Sequence, residues 1–346
     1  MFQKTFIKFL RYLLFPFSVL YALVVAVRNV FFDLGVFKQT SFDIPVIAVG
    51  NLSVGGTGKT PQIEYLIRLL EKDYRIAVLS RGYKRKTKGF VLANETTKVE
   101  DIGDEPFQYS QKFKNILVAV DADRTNGIKK LLALDASIDL ILLDDAYQHR
   151  KVKASFYTLL TGYDNRFTKD FVLPTGELRE SRFGVNRAHA IVVTKCPADL
   201  TNEQQLSIVN EIKPNKKQQV FFSSIEYDDV VNSNSNTIRV GDLVNYEVVL
   251  VTGIAKPKPL LDFLRSKNIS FKHVEFPDHH HFEETDIRNI KNIYKEIETD
   301  NKIILTTEKD FTRLSDSVEN LYALGIKTSI FSNKEFDAFV KQSIKN

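Results

Sequence analysis

VIAVGNLSVGGTGKTP, residues 46–61, decides how the rest of the chain is read. Residues 46–49 are four consecutive apolar residues with the character of a buried strand. A glycine-rich turn follows from Gly50, and Lys59 and Thr60 open a segment with Ile63, Leu66, Ile67 and Leu70 at helical spacing. That order is a cradle for phosphate. Gly55, Gly56 and Gly58, with Ser53, Val54 and Thr57 between and before them, let successive backbone N–H groups turn toward one anion, and the helix start adds positive potential. Lys59 reaches the outer phosphates of a nucleotide and the Thr60 hydroxyl is placed for Mg²⁺. The spacing G-x-x-x-x-G-K-[ST] would put its first glycine at 53, where Ser53 stands, so the glycines are shifted inward. A ligand-free glycine turn explains the loop but not the Lys-Thr pair at the head of a helix.

Composition narrows the rest. At 346 residues the chain is long enough for two cores, and 43% hydrophobic with 26% charged residues is ordinary for a globular protein. A net charge of +5 favours anionic partners without selecting among nucleic acid, a phosphorylated substrate and an acidic membrane surface. The single cysteine, Cys196, excludes an internal disulfide framework and a cysteine-based zinc site, and fits a reducing, cytoplasmic setting.

Residues 1–37 stand apart. Between Arg11 and Arg28 lies an uncharged run, residues 12–27, rich in Leu, Val, Phe and Tyr, interrupted by Pro16 and preceded by Lys4 and Lys8. The run is short for a membrane span and lacks a signal-peptide cleavage site. An interfacial helix, its apolar surface in lipid and its basic residues at anionic headgroups, is favoured over a helix packed on the core.

Further apolar runs at 75–79, 116–120, 138–143, 156–160 and 190–194 read as strands of an α/β domain. The first ends in Ser80-Arg81-Gly82-Tyr83 and the basic cluster Lys84, Arg85, Lys86 and Lys88, which is either a solvated surface or a holder for an anionic substrate at the ligand-binding edge of the sheet. Gly103-Asp104-Glu105-Pro106 starts a helix, where two carboxylates are favourable whether or not they do chemistry. The run at 138–143 ends in Asp144-Asp145, as a P-loop site requires opposite Thr60 to hold Mg²⁺ directly or through water. LPTGELRE, residues 173–180, is a turn-rich loop whose default reading is a salt-bridged surface turn. Residues 219–243 form two extended pieces around a polar tip, 232–236, and strand–helix alternation restarts at 247. In that second unit, Pro277-Asp278-His279-His280-His281-Phe282 suggests one acid/base or phosphate-contacting histidine more than a metal site, because no other ligand cluster accompanies it.

Taken together, GNLSVGGTGKTP (50–61), SRGY (80–83), GDEP (103–106), DDAYQH (144–149), LPTGELRE (173–180), PDHHHF (277–282) and TEKD (307–310) resemble the tetraacyldisaccharide 4'-kinase family of lipid A biosynthesis. They run in that family's order across nearly the whole chain, and a serine in place of the first P-loop glycine is itself a family trait. The resemblance implies a P-loop α/β/α domain (38–222), a β-hairpin linker (223–246), a second, smaller α/β/α domain (247–346) and an N-terminal membrane-interface helix (1–37). It implies ATP-dependent, Mg²⁺-supported phosphorylation of the 4'-hydroxyl of a tetraacylated disaccharide 1-phosphate at the cytoplasmic face of the inner membrane. The expected partners are that lipid and an anionic membrane surface; no nucleic acid is expected, and the chain is expected to be a monomer. Carried over by position, Lys59 and Thr60 take phosphate and Mg²⁺, Asp144, Asp145 and Glu180 surround the metal, and Asp104 is the general base, supported by His279. Arg124 and Arg179 become phosphate contacts. DDAYQH departs from the family's DDGFQH, and Ala146 would cost about 1 kcal/mol or more if its position required positive φ. The triple histidine leaves open whether His279 or His280 faces the cleft. The rival reading is a membrane-associated P-loop ATPase that acts as a nucleotide switch, which has no need of Asp104 and His279.

Overall fold

Short apolar runs alternating with amphipathic helices favour a mostly parallel sheet covered on both faces, and the chain builds that arrangement twice. The computed structural model describes residues 11–278 and 280–345. After an apolar helix α1 (Phe15–Asp33), the first half contains β1 (Val46–Asn51), α2 (Lys59–Leu70), β2 (Ile76–Ser80), β3 (Val91–Leu92), α3 (Val99–Ile102) and α4 (Asp104–Lys112). It continues with β4 (Leu117–Val120), α5 (Arg124–Leu134), β5 (Leu140–Leu143), β6 (Phe156–Gly162), β7 (Ala190–Thr194) and α6 (Asn202–Ile212). The strands lie in the order β7-β6-β1-β5-β2-β4-β3, all parallel except the short edge strand β3. β1 is buried along its whole length, so its run of apolar residues lacks the alternation of a half-exposed strand. It sits between β5 and β6, where neighbouring connections diverge and leave a crevice at the strand ends.

β8 (Gln219–Asn232) carries the chain from one half to the other. Its first residues pair with β7 in parallel, from Ala190 opposite Gln219 to Val193 opposite Phe222. The second half follows as β9 (Thr237–Arg239), β10 (Glu247–Thr252), α7 (Lys258–Ser266), β11 (Phe271–Glu275), α8 (Glu284–Lys295), β12 (Lys302–Thr307), α9 (Glu308–Leu314), β13 (Leu321–Ile330) and α10 (Asn333–Lys345). From Ser223 onward β8 pairs antiparallel with β13, from Ser223 opposite Ile330 to Asn232 opposite Ala323, with a bulge between Leu324 and Ile326. The expected hairpin turn is present, with the Ser233 N–H donating to the Asn236 carbonyl at 2.8 Å, but its return strand β9 has only three residues. The connection between the halves is therefore the β8–β13 ribbon.

That ribbon changes the expected domain boundary. β13 runs back toward the first half, and the Phe331 N–H bonds the Phe222 carbonyl at 3.0 Å. The chain is thus delivered beside the first core, where Phe336, Val340 and Ile344 of α10 pack with Ile47, Leu66 and Phe156. The unit expected over 247–346 gives its last helix to its neighbour.

Helix α1 is 19 residues long and buries only Ser18 and Val25. Phe17, Leu20, Leu23 and Val24 are exposed. Among the described residues it is the one helix long and apolar enough to cross a membrane, by length and composition. The expected core-packed alternative does not describe it.

Candidate active site

The glycine turn after β1 is held open from both sides. Gly55 and Gly58 take φ of 105° and 84°, in the left-handed region that a side chain disfavours. The Val54 N–H bonds the Glu177 carbonyl at 2.7 Å, and Ser53 forms a bridge with Leu178. On the other side, the Lys195 ammonium donates to the Gly56 carbonyl at 2.6 Å and the Thr194 hydroxyl to the Thr57 carbonyl at 2.8 Å. With its carbonyls turned to these donors, the loop presents amides toward the start of α2, which no side chain caps. Lys59, the first residue of that helix, lies 3.7 Å from Asp145. Arg179 reaches both oxygens of the same carboxylate at 3.1 Å. Lys59, Arg179 and Asp145 are thus one cluster.

Asp144 lies deeper. Its Oδ2 accepts from the Ser80 hydroxyl at 3.3 Å, while its buried Oδ1 has no hydrogen-bond partner. Burial, with the charges of Asp145 and Glu105, pushes its carboxyl up to about 7 despite Lys59 and Arg124. A buried carboxylate with an unsatisfied oxygen is a site for a cation. The buried Tyr109 hydroxyl faces both Thr60 and Asp144. Arg124 is buried too, donating to the carbonyls of Asp121 and Ala122 at 3.4 and 3.2 Å. Burial pulls its guanidinium down to about 10, offset by Asp144, so it remains charged at neutral pH.

The turn that makes this pair is tight. A Cβ on Gly50 would stand 2.7 Å from the Tyr147 Cβ, so the end of β1 and the start of the 145–148 turn touch backbone to backbone. The positive φ in that turn, 45°, belongs to Asp145. Ala146 carries no such strain, so the exchange of glycine for alanine there costs nothing of the kind expected.

Glu180 stands apart from the aspartate pair in its hydrogen bonding. It is fully buried, with Oε1 accepting from Arg187 at 2.7 Å and Gln148 at 3.0 Å, and Oε2 from Asn29 of α1 at 3.0 Å. Among the described residues no three His, Cys, Asp or Glu side chains form a group that could hold a metal. In this structure the Glu180 carboxylate is occupied by those three partners. It ties its loop to α1, where Ser18 bonds the Thr175 hydroxyl at 2.7 Å and Tyr21 bonds the Arg179 carbonyl at 3.0 Å.

Asp104, at the first turn of α4, faces the second half. The Arg313 guanidinium from α9 holds both its oxygens, Nε donating to Oδ1 at 3.1 Å and Nη2 to Oδ2. Arg313 also donates to the His280 carbonyl at 3.0 Å. His279 lies outside the described residues. The His280 ring is engaged elsewhere, 2.8 Å from Asp286 and stacked on Phe276. Asp278 pairs with Lys309 at 3.2 Å.

Several of these groups were not singled out from sequence: Arg313, Tyr109, Gln148 and the fourfold contact of TEKD. In that motif Thr307 caps α9, Glu308 meets Lys112 at 2.5 Å, Lys309 meets Asp278, and Asp310 accepts from the Gly253 N–H at 2.8 Å. A capping Thr with Asp three residues on is a local signal for a helix start; the long-range contacts leave none.

An amide-lined turn at the diverging point of a parallel sheet, with a lysine at its helix and paired aspartates at the next strand's end, defines a P-loop phosphotransferase. Residues 10–345 match the family Tetraacyldisaccharide-1-P 4'-kinase, and the chain belongs to it. Similar proteins include a tetraacyldisaccharide 4'-kinase of Flavobacterium johnsoniae, 53% identical over 97% of this chain and 98% of the relative. Another, from Bacteroides thetaiotaomicron, is 44% identical over 93% of this chain and 90% of the relative. The crystal structure of LpxK from Aquifex aeolicus in complex with ATP superimposes with a TM-score of 0.79 at 31% identity, covering 97% of this chain and 99% of that one.

Proposed function

We propose that the chain transfers the γ-phosphoryl group of ATP to the 4'-hydroxyl of a tetraacylated disaccharide 1-phosphate at the cytoplasmic face of the inner membrane. The observation that carries this reading is the Lys59–Asp145–Arg179 cluster beside the unsatisfied, buried Asp144. Phosphates entering the turn exchange the Asp145 carboxylate for their own charge on Lys59 and Arg179, while amides of residues 53–60 orient them. Thr60, Asp144 and Asp145 fit Mg²⁺ by their hard oxygen donors and by the orphaned Asp144 Oδ1. Mg²⁺, when bound there, would supply neutralisation of the charge gathering on the phosphoryl oxygens.

Asp104 is the base that takes the proton of the sugar hydroxyl, with His279 assisting as the resemblance implies. Arg313 holds that carboxylate in place, and the sugar hydroxyl competes with it for the same oxygens. Arg124 supports the buried carboxylates electrostatically. The apolar outer face of α1 enters the bilayer that holds the acyl chains, so the substrate reaches the cleft without leaving lipid. The switch reading loses its support with the family membership.

The direct test is incubation with Mg-ATP and the disaccharide 1-phosphate lipid. A product heavier by one phosphate, formed in step with ADP, is the expected result. ATP hydrolysis without phosphorylated lipid would return the chain to the switch class.

A further inference from the structure

The segment after Glu180 leaves a large apolar side chain in water. Phe183, the second residue of the 3₁₀ turn Arg182–Arg187, is 80% exposed. Its backbone is nonetheless pinned on both sides. The Phe183 N–H meets the Ser181 hydroxyl at 3.4 Å, the Gly184 N–H donates to the Ser181 carbonyl at 2.8 Å, and the Tyr147 hydroxyl donates to the Gly184 carbonyl at 2.8 Å. Gly184 is buried, and a Cβ there would stand 2.9 Å from both Glu180 and Leu52, so the turn rests directly on them. The ring is held out in solvent from a fixed seat, and its exposure is not that of a loose loop.

One exposed phenyl needs no explanation; a continuous patch does. The Arg182 guanidinium sits over the ring of Phe171, 5.9 Å from its centroid, and donates to the Asp170 carbonyl at 2.7 and 3.1 Å. Phe171, itself exposed, meets Phe15 of α1 edge to face with centroids 6.2 Å apart. Contacts thus run without a break from α1 through Phe15 and Phe171 to Arg182 and, next to it in the chain, Phe183. Arg182 pairs with no carboxylate among the described residues. Aromatic rings with an arginine beside them match the boundary between acyl chains and anionic headgroups, where the rings are buried and the guanidinium stays with the phosphates. Because the patch is continuous with the exposed apolar surface of α1, the same medium covers both.

Resting on the reading that α1 enters the bilayer, we infer that the turn at 182–183 is a second membrane contact, which inserts the Phe183 ring at the acyl boundary and holds Arg182 at anionic headgroups. A helix lying in the interface sets the depth of its protein. It leaves the protein free to roll about the helix axis, and a second contact beside the helix removes that freedom. Arg179 and Glu180 lie just before the turn, so the contact also fixes the phosphate cradle relative to the lipid surface.

The chain contains no tryptophan, so a single one reports a single place. Phe183→Trp, Phe17→Trp on α1 and Val244→Trp on an exposed site of the second half are each made in the full chain. They are mixed with vesicles of phosphatidylethanolamine and phosphatidylglycerol whose acyl chains carry bromine. Emission from the Phe183→Trp and Phe17→Trp proteins should shift to the blue and be quenched, while the Val244→Trp protein should not respond. Phe183→Ser should lower partition into the vesicles about tenfold and leave the unfolding temperature in detergent at the wild-type value. A response at 17 without one at 183 would overturn this contact and leave α1 as the anchor. A response at 183 without one at 17 would keep the contact and refute the α1 reading, and silence at both refutes the two together. A blue shift at 183 that follows protein concentration in place of lipid would give the patch to a second copy of the chain and overturn the inference. So would an unchanged partition of the Phe183→Ser protein, or a loss of partition that merely accompanies a lowered unfolding temperature.

Discussion

Two flanks press on the phosphate cradle, and they are built from different chemistry. On one side the α1 region grips the 173–180 loop mainly through neutral hydrogen bonds from Ser18 and Tyr21, the amide of Asn29 on Glu180 and an edge-to-face contact of Phe15 with Phe171, with one long ion pair from Arg11 to Glu177 at 3.9 Å and, outside that loop, Asp33 on Arg150 at 2.6 Å. On the other, the second half grips α4 through charges: Arg313 on Asp104, and Lys112 between Glu64 of α2 and Glu308 of α9, at 2.8 and 2.5 Å. Charges across the seam of two separate cores can be released when a substrate offers replacement charges. Neutral hydrogen bonds beneath an apolar helix are offered no such replacement by an anionic substrate. On that contrast we expect the second half to be the moving jaw and α1 the fixed one.

The largest effect should come from the charged flank. Asp104→Ala removes the proposed base and should lower kcat by about 10²- to 10⁴-fold while the KM for ATP changes little. Arg313→Ala should lower kcat less, because the carboxylate survives. If Asp104→Ala raises only the KM for ATP, steady-state kinetics will have identified a nucleotide contact and not a base.

A step smaller is the seam itself. Lys112→Met removes the cation that Glu64 and Glu308 share, leaving Glu64 with Arg68 alone, and losing one partner of such a part-buried pair costs up to about 3 kcal/mol. Thermal unfolding should show the loss, and Lys112→Met/Glu308→Gln should recover part of it. No recovery in the double variant would mean that Lys112 matters for packing and not for charge.

How far the sequence carried this picture depends on the range of each interaction. The strand, glycine turn and helix start at 46–60 were legible because each signal is local, and so was the aspartate pair at a strand's end. The partners of Glu180, which are Arg187, Gln148 and Asn29, were not legible, since Asn29 is 151 residues away in sequence. Ala146 misled for a subtler reason: the turn moves its left-handed residue one position earlier, to Asp145. The return of α10 to the first core was not legible, because it depends on β8 having two partners and on its antiparallel pairing with β13. Arg313 on a short helix is an ordinary surface arginine until the two halves close on each other.

Between the flanks, Asp144 sharpens the contrast through pH. Its folded pKa is raised to about 7 by burial first and neighbouring carboxylates second, whereas an unfolded aspartate titrates near ~3.9. Between those values the folded chain holds the proton and the unfolded chain has lost it, so stability falls as pH rises from about 4 to about 7. Asp144→Asn should therefore unfold later than wild type at pH 8 without Mg²⁺, by on the order of a few kcal/mol, and show no advantage at pH 4. Mg²⁺ at pH 8 should stabilise wild type and not the variant. Equal melting of the two proteins across the whole range would remove the buried charge from the account.

The smallest effect tests the fixed jaw. Tyr21→Phe removes one neutral hydrogen bond, 3.0 Å long, to the carbonyl of the residue whose side chain holds Asp145. One such bond is worth about 1 kcal/mol. If α1 merely anchors the protein, that loss has no route to turnover in detergent micelles, and Tyr21→Phe should behave as wild type there. If α1 positions the loop, kcat in micelles should fall severalfold while sedimentation with vesicles is unchanged, because the apolar surface is intact. The fall should be the same at pH 6.5 and pH 8, because the lost contact joins a neutral hydroxyl to a carbonyl, which distinguishes it from any variant of the charged flank. An unchanged kcat in micelles together with weakened vesicle binding would reverse the assignment and make α1 an anchor alone.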